Sequence, residues 1–184
     1  MKKWVLLSSV IIFVLTLKVL DSADVPGARP VVGRATLPFN VARLYAREPD
    51  TELSMPVEGA RVGGVSDTWH AERPDGRRHE GQDIFARRGT PVRSATEGYV
   101  VRVGESPLGG KTVFVMGAGG RAYYYAHLDR HAEDLAAGAY VTTETVLGYV
   151  GTTGNATGTP PHLHFGVYTP EGALNPLPIL KDRG

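Results

Sequence analysis

Short alternating runs of β-branched and aromatic residues, each bounded by a glycine or a proline, restrict the fold of this chain more than any other feature. With 23 glycines and 13 prolines among 184 residues, the sequence favours many tight turns and few long helices. Strands are predicted at residues 90–95, 99–103, 111–116, 121–128, 138–141, 146–150 and 161–168, and a short helical turn at residues 131–137. The predicted fold class is therefore mostly β: an antiparallel β-sheet or sandwich with glycine-rich turns and little helix.

The first twenty residues form a segment of their own. Two lysines precede a run from Trp4 to Leu17 that is apolar except for two serines and a threonine, as in a segment that engages the export machinery. A helix from Trp4 to Leu20 would span about 26 Å, slightly less than a hydrocarbon core of about 30 Å. Against cleavage, the acidic Asp21 lies where a signal peptidase needs a small neutral residue. Residues 1–20 are thus predicted as either a signal peptide or an N-terminal membrane anchor.

Both alternatives place the rest of the chain outside the cytoplasm. We therefore predict an exported protein of the periplasm or cell envelope, with residues 4–20 as its anchor to the inner membrane in the second case. Residues 21–54 contain prolines and mixed charge without a sustained period, and are predicted as a linker or N-terminal arm in which residues 37–47 form a short strand or helical turn. The domain itself is expected at residues 55–172, followed by a C-terminal tail at residues 173–184.

Charge and cysteine content exclude several classes of function. The 20 basic and 19 acidic residues give a formal net charge of +1, so no nucleic-acid partner is predicted. The chain contains no cysteine, which excludes disulfides, cysteine nucleophiles and thiolate zinc sites. Any zinc ion must therefore be held by nitrogen and oxygen ligands. The sequence predicts no particular oligomeric state.

Two histidines stand one residue apart in the last predicted strand, PHLHFGVY. Because side chains alternate along a strand, His162 and His164 are expected on one face, and Leu163 and Phe165 on the other. Two polar residues on a wet face explain such a short motif as well as a metal site does. The rest of the chain must therefore decide between the two interpretations.

Partners for a metal site lie earlier in the chain. His79 and Asp83 are four residues apart, which places both on one face of an extended segment, and Gly81 between them leaves room for another backbone or a ligand. With one histidine of the later pair they would provide two nitrogens and one carboxylate oxygen, which suffice for a catalytic zinc ion with a fourth position open to water. The alternative for His79 and Asp83 alone is an exposed histidine in a charged loop.

A further histidine, His127, ends the aromatic run YYYAH. Alternation places Tyr123, Tyr125 and His127 on one face of a strand. Tyr125 is then a neighbour of the site or, more simply, a core residue, and an isolated histidine at a strand end is usually structural. His70 and His131 have no partner at ligand spacing and are interpreted as structural or solvated.

Taken together, these motifs resemble the lysostaphin-type, or LytM-like, zinc endopeptidases of bacterial cell walls, also called the β-lytic metallopeptidases. The resemblance covers residues 55–168, and the motifs occur in the family's order. RHEGQDI matches His-x-x-x-Asp, GTPV with GYV matches the glycine-bounded strand pair, YAHL matches Tyr-x-His-Leu, and GYVGTTG followed by HLHF matches the closing signature. Each motif alone is weak, but four in register are highly specific.

The resemblance implies a function and a role for each site residue. His79, Asp83 and His164 are expected to bind one zinc ion, while His127 and His162 remain beside it as catalytic residues that transfer protons. The implied activity is that of an exported zinc endopeptidase that hydrolyses peptide bonds in the stem peptides or cross-links of peptidoglycan.

Two other functions stay open on the sequence. A non-catalytic peptidoglycan-binding module, or an activator of another cell-wall hydrolase, would share the fold, but the presence of every site residue favours the enzyme. The succession of short strands and turns at residues 90–103 and 138–150 also resembles that of a β-sandwich of the biotin- or lipoyl-carrier kind. It lacks a convincing carrier lysine in a hairpin and leaves the histidines unexplained.

Overall fold

The computed structural model describes residues 28–72, 76 and 78–184. The predicted signal peptide or anchor at residues 1–20 lies outside the described residues, as do residues 21–27 of the predicted arm. No helix in the described part of the chain combines the length and hydropathy needed to cross a membrane.

One α-helix and eleven strands occur within these residues. Helix α1 spans Ala28–Tyr45. Most of the strands are short, because glycines and prolines interrupt strand interiors. They are β1 (Leu53–Ser54), β2 (Gln82–Phe85), β3 (Pro91–Arg93), β4 (Gly98–Ser106), β5 (Gly110–Met116), β6 (Ala122–His131), β7 (Tyr140–Val141), β8 (Val146–Val150), β9 (His162–Thr169), β10 (Gly172–Leu174) and β11 (Leu180–Lys181).

Nine of the described strands form one sheet, and every pairing in it is antiparallel. Its central path runs β10-β9-β6-β5-β4-β7, while β2 also pairs with β9, and β3 pairs with β8, which in turn pairs with β6. β1 and β11 form a separate parallel pair. The core lies on the face that carries Tyr123, Tyr125, Leu163 and Phe165, all fully buried. The predicted mostly antiparallel β fold with little helix is confirmed.

The predicted helical turn at residues 131–137 is wrong. His131 ends β6, and the following residues form two turns, with Asp134 in the left-handed region at φ 60°. The Ala132 N–H donates a hydrogen bond of 3.0 Å to the Leu147 carbonyl on the neighbouring strand. Such cross-strand bonds use backbone groups that a helical turn would pair locally.

The short strand or helical turn predicted at residues 37–47 belongs to a longer helix. α1 continues to Tyr45 although Pro38 lies inside it and removes one backbone hydrogen bond. Packing offsets this loss, because Leu44 is buried and the Tyr45 ring contacts Gly120 in the turn between β5 and β6. The described part of the predicted linker or arm therefore packs against the sheet.

Residues 173–184, predicted as a C-terminal tail, pair with the beginning of the domain. Leu180 of β11 lies opposite Leu53 of β1, and both side chains are buried. The Arg183 guanidinium donates hydrogen bonds of 2.7–2.8 Å to three backbone carbonyls, those of Met55, Ser94 and Thr143. The last residues of the chain therefore tie together segments that are far apart in sequence.

Candidate metal centre

The pairing of β2 with β9 assembles a cluster of three polar side chains. In this antiparallel pair Asp83 lies opposite His164, and His79 approaches from the segment that precedes β2. Asp83 Oδ1 lies 3.0 Å from His79 Nε2 and 3.0 Å from His164 Nδ1, and the two imidazole nitrogens are 2.7 Å apart. The structure thus brings together the three residues for which the sequence predicts metal binding, at distances that allow them to share one ion.

The charge of Asp83 suits a cation site. Burial alone would raise the pKa of this carboxyl group, but hydrogen bonds and charge from His164 and His79 outweigh burial and hold the pKa well below its usual range. Asp83 is therefore ionised at neutral pH. Two imidazole nitrogens and one carboxylate oxygen are a donor set that zinc accepts, so the residues present fit this metal.

A backbone carbonyl fixes the protonation of His79. The Nδ1 atom lies 2.7 Å from the carbonyl oxygen of Thr68. Since a carbonyl only accepts hydrogen bonds, Nδ1 carries the proton and donates it. The lone pair of the ring is then on Nε2, the atom that faces Asp83 and His164. Metal-binding histidines are oriented by a hydrogen bond of this kind.

The side chain of Gln82 holds the Thr68 segment in place. It is fully buried and accepts hydrogen bonds from the N–H and the hydroxyl of Thr68, at 2.9 and 3.1 Å. Its own amide donates to Asp67 at 2.7 Å and to Asn175 at 3.0 Å. The Thr68 hydroxyl also accepts a hydrogen bond of 3.0 Å from the Asp83 N–H. Nothing in the sequence pattern separates this glutamine from an ordinary polar residue, because its partners are distant along the chain.

His127 lies on the face of the three donor residues, although alternation predicts the other face. Tyr123 and Tyr125 are buried in the core, and strict alternation would send His127 there too. A β-bulge in the pairing of β5 with β6, and a left-handed backbone at His127 with φ 61°, interrupt the alternation. The His127 ring centroid consequently lies 5.1 Å from that of His162 and 5.9 Å from that of His164. The predicted common face of Tyr123, Tyr125 and His127 is therefore wrong.

His127 and His162 each donate a ring proton to a backbone carbonyl. His127 Nδ1 lies 2.9 Å from the Thr153 oxygen, and His162 Nδ1 lies 2.8 Å from the Pro160 oxygen. In the neutral form of each ring, Nε2 is then the basic nitrogen. Burial lowers the pKa of His127 to about 4, so this ring is neutral at pH 7. His162 Nε2 lies 4.0 Å from Asp83 Oδ1, which places the second basic nitrogen beside the donor cluster.

Gly81 and Tyr124 complete the surroundings of His164. A Cβ atom added at Gly81 would lie 2.6–2.8 Å from the His164 ring and from a backbone carbonyl, so the close approach predicted at this glycine is found. The Tyr124 ring stands edge-on to His164, with 5.8 Å between the centroids. Tyr125, for which the sequence favours a core position over a place beside the site, accepts a backbone hydrogen bond of 2.9 Å inside the core. The sequence does not single out Tyr124. The β-bulge that brings His127 onto the face of Tyr124 leaves no recognisable pattern in the neighbouring residues.

The two remaining histidines lie apart from this cluster. His70 is exposed and stacks on Trp69, with ring centroids 4.5 Å apart. His131 lies near the end of β6, where its Nε2 atom is 3.1 Å from the Thr112 carbonyl oxygen. These contacts agree with the interpretation of both residues as solvated or structural.

Comparisons with known proteins agree with this geometry. A family model described as Peptidase family M23 matches residues 77–176. The chain is 37% identical over 125 residues to the L-Ala–D-Glu endopeptidase of Bacillus subtilis (strain 168), covering 62% of this chain and 38% of the relative. It is 33% identical over 116 residues to lysostaphin of Staphylococcus simulans, covering 60% of this chain and 23% of the relative. The chain thus spans less than half the length of these curated relatives.

Solved structures give the same result. Helicobacter pylori Csd3 matches with a TM-score of 0.58 and 32% identity, over 71% of this chain and 35% of that chain. The catalytic domain of lysostaphin from Staphylococcus simulans matches with a TM-score of 0.55 and 28% identity, over 64% of this chain and 92% of that chain. The family match covers more than half of the sequence. The chain therefore belongs to peptidase family M23 and is homologous to the LytM- and lysostaphin-type peptidoglycan endopeptidases.

Proposed function

We propose that the chain is an exported, zinc-dependent endopeptidase that hydrolyses peptide bonds in the stem peptides or cross-links of peptidoglycan. The observation that carries this proposal is the convergence of His79 Nε2, Asp83 Oδ1 and His164 Nδ1 within 3.0 Å of one another. His127 and His162 lie beside this cluster. Homology to the L-Ala–D-Glu endopeptidase and to lysostaphin supports peptidoglycan as the class of substrate.

One zinc ion is assigned to His79, Asp83 and His164. The ionised carboxylate supplies charge, and the Thr68 carbonyl holds the His79 ring with its lone pair towards the cluster. Zinc is usually four-coordinate, so a three-residue set leaves one position for chemistry. When bound in such a site, zinc acts as a Lewis acid that activates water and polarises a carbonyl group.

His127 and His162 transfer the protons of the reaction in this proposal. Each ring is held through Nδ1 by a backbone carbonyl, so Nε2 of each can accept a proton from the attacking water and return it to the leaving amine. Burial keeps His127 neutral at pH 7, as a base must be before it accepts a proton. Either histidine can act first as the base, and the other then stabilises the charge that develops on the substrate.

The domain is proposed to work outside the cytoplasm, in the periplasm or the cell envelope. The support is the sequence of residues 1–20, with two lysines before an apolar run. In this proposal the segment is either removed after export or kept as an anchor in the inner membrane. Fractionation of cells that express the full chain, followed by sequencing of the N-terminus of the mature protein, separates these two outcomes.

Two substitutions in the histidine pair test the assigned roles. We expect the purified full chain to bind about one zinc ion and to release muropeptides from purified sacculi. His164→Ala removes a metal donor and should lose both the zinc and the activity. His162→Ala should keep the zinc while turnover falls by about 100-fold or more, the usual contribution of a general base or acid. Metal analysis and chromatography of released muropeptides measure the two effects.

His131→Ala is the matched control, because this histidine bonds the Thr112 carbonyl away from the donor cluster. It should behave as wild type in both measurements. Unchanged cleavage by His162→Ala and His164→Ala would contradict the enzymatic proposal. Binding of sacculi without any cleavage by the zinc-loaded wild type would instead support the alternative, a non-catalytic module or an activator of another hydrolase.

A further inference from the structure

A row of side chains crosses the sheet on the face that carries the candidate metal centre. Arg102 of β4 lies opposite Phe114 of β5, Phe114 lies opposite Tyr124 of β6, and Tyr124 lies opposite Gly166 of β9. The rings of Phe114 and Tyr124 are in contact, with centroids 4.5 Å apart. Since Tyr124 also stands edge-on to His164, the row forms a continuous surface that begins at the metal centre and ends at a guanidinium group.

Arg102 differs from other arginines in this part of the sheet. Arg88, Arg93 and Arg130 each have a carboxylate within ion-pair distance. Within the described residues, Arg102 has no ion pair and no hydrogen bond, and its side chain is exposed. Arg102 therefore places, on the sheet face beside the metal centre, a positive charge that none of the described residues neutralises.

The Arg102 side chain runs along β4 over a glycine. Its Nε atom lies 3.7 Å from the position that a Cβ atom would occupy on Gly104, so no side chain at Gly104 separates the guanidinium from the surface of the sheet. Two residues beyond Gly104 on β4, the Ser106 hydroxyl accepts a hydrogen bond of 3.0 Å from the Gly109 N–H. Guanidinium N–H groups and hydroxyl groups are both good partners for a carboxylate.

We propose that Arg102, with Tyr124 and Phe114 beside it, binds a carboxylate of the peptide that is cleaved. The inference rests on the proposed peptidase function and names the class of its substrate: an acidic peptide rather than a neutral one. A guanidinium binds a carboxylate through two parallel hydrogen bonds, and the two aromatic rings support the aliphatic part of the ligand. We name this group of three residues the carboxylate subsite.

Strand spacing sets the distance between the carboxylate and the reacting bond. Neighbouring strands are about 4.8 Å apart, so the backbone of β4 at Arg102 is about 14 Å from the backbone of β9 at Gly166 and, because His164 lies two residues further along β9, about 16 Å from His164. An extended peptide covers this distance with about five residues, and the length of the arginine side chain reduces the number to about two or three. The carboxylate therefore belongs to a residue near the scissile bond but not adjacent to it.

The subsite is tested by combining one substitution in the full chain, Arg102→Gln, with one chemical modification of the substrate. The probe is purified sacculi, either untreated or with their carboxylates converted to amides by carbodiimide and ammonia. We expect amidation to weaken both co-sedimentation with wild type and the rate of cleavage by about fivefold, the scale of one partly exposed charge pair. Arg102→Gln should show the same loss on untreated sacculi and no further loss on amidated sacculi. Arg43→Gln, which removes an exposed arginine on α1, should respond to amidation as wild type does.

The outcomes separate this inference from the proposed function. If the loss caused by Arg102→Gln and the loss caused by amidation multiply, the subsite is overturned. Both changes break the same proposed contact, so together they should reduce binding no more than either change alone. An Arg102→Gln protein that matches wild type on untreated sacculi would overturn it as well. Failure of the zinc-loaded wild type to cleave either preparation contradicts the peptidase instead, and co-sedimentation then still decides whether Arg102 binds a carboxylate.

Discussion

At the scale of single residues, the spacing of the donor cluster depends on the absence of one side chain. Gly81 lies between His79 and Asp83, and the His164 ring occupies the space where a Cβ atom at position 81 would be. The Phe165 carbonyl closes the same space from the backbone of β9. Because a backbone carbonyl in a paired strand cannot move as a flexible side chain can, even a methyl group at Gly81 must displace β9 or the His164 ring.

Gly81→Ala is therefore expected to weaken zinc binding by about tenfold or more, the range seen when the surroundings of metal ligands are altered. Competition with a chromogenic chelator measures the affinity, and circular dichroism checks that the β-sheet is retained. Gly64→Ala is the matched control, since nothing lies within 4 Å of a Cβ atom there. Equal zinc affinity for wild type and Gly81→Ala would show that His164 is not held at the position described.

At the scale of elements, the segment after β8 fixes His127 against β5 and β6. The Thr153 hydroxyl accepts a hydrogen bond of 2.9 Å from the Lys111 N–H of β5 and donates one of 2.8 Å to the Leu128 carbonyl of β6. The carbonyl of the same residue accepts the Nδ1 proton of His127 at 2.9 Å. One threonine thus joins three elements at the bulge where His127 leaves the regular alternation.

Thr153→Ala should lower turnover by about tenfold while the zinc content stays unchanged, because it loosens His127, the histidine proposed to transfer protons, and leaves the three proposed metal donors in place. We also expect a loss of about 1–2 kcal/mol in the free energy of unfolding, since two hydrogen bonds of the hydroxyl are removed. Muropeptide release and urea unfolding measure the two effects. Thr153→Ser keeps the hydroxyl and should restore most of both, whereas loss of zinc in Thr153→Ala would contradict this division of roles.

At the scale of the whole molecule, the two ends of the domain hold each other. β1 and β11 are parallel and pair Leu53 with Leu180, two residues that are far apart in the sequence. Both leucines are part of the buried core cluster. The Arg183 guanidinium adds hydrogen bonds to carbonyls of three separate segments. The domain is therefore closed by contacts between residues that are distant in sequence. We expect its stability to depend on the C-terminal partners in these contacts, Leu180 and Arg183.

Leu180→Ala should reduce the free energy of unfolding by about 2–5 kcal/mol, as is usual when a buried leucine is truncated. Urea unfolding followed by tryptophan fluorescence measures the loss. Lys181→Ala is the control, because its side chain is exposed, and its effect should stay within about 0.5 kcal/mol. A change for Leu180→Ala as small as that of the control would mean that β11 does not contribute to the core.

The strands could be predicted from the sequence wherever the pattern was local. Residues 146–150 match β8 as predicted, and the predicted strands at residues 111–116 and 121–128 are found as β5 and β6 with small changes at their ends. The predictions that failed depend on partners elsewhere in the chain. The turns that replace the helical turn at residues 131–137 are tied to a neighbouring strand, and the short element predicted at residues 37–47 belongs to the longer helix α1, whose C-terminal end packs on the sheet through Leu44 and Tyr45.

The sequence by itself determined the candidate donors: the two-residue period of extended chain groups His79 with Asp83 and His162 with His164, and the family resemblance then singles out His164 of the later pair. Only the tertiary structure decided the rest of the site. His127 reaches the donor face through a β-bulge, which arises from the register between two strands and leaves no periodic trace in either. The positions of Gln82 and Arg102 likewise follow from pairings between distant segments. Local periodicity sets which way a side chain points, whereas the register of paired strands sets what it meets.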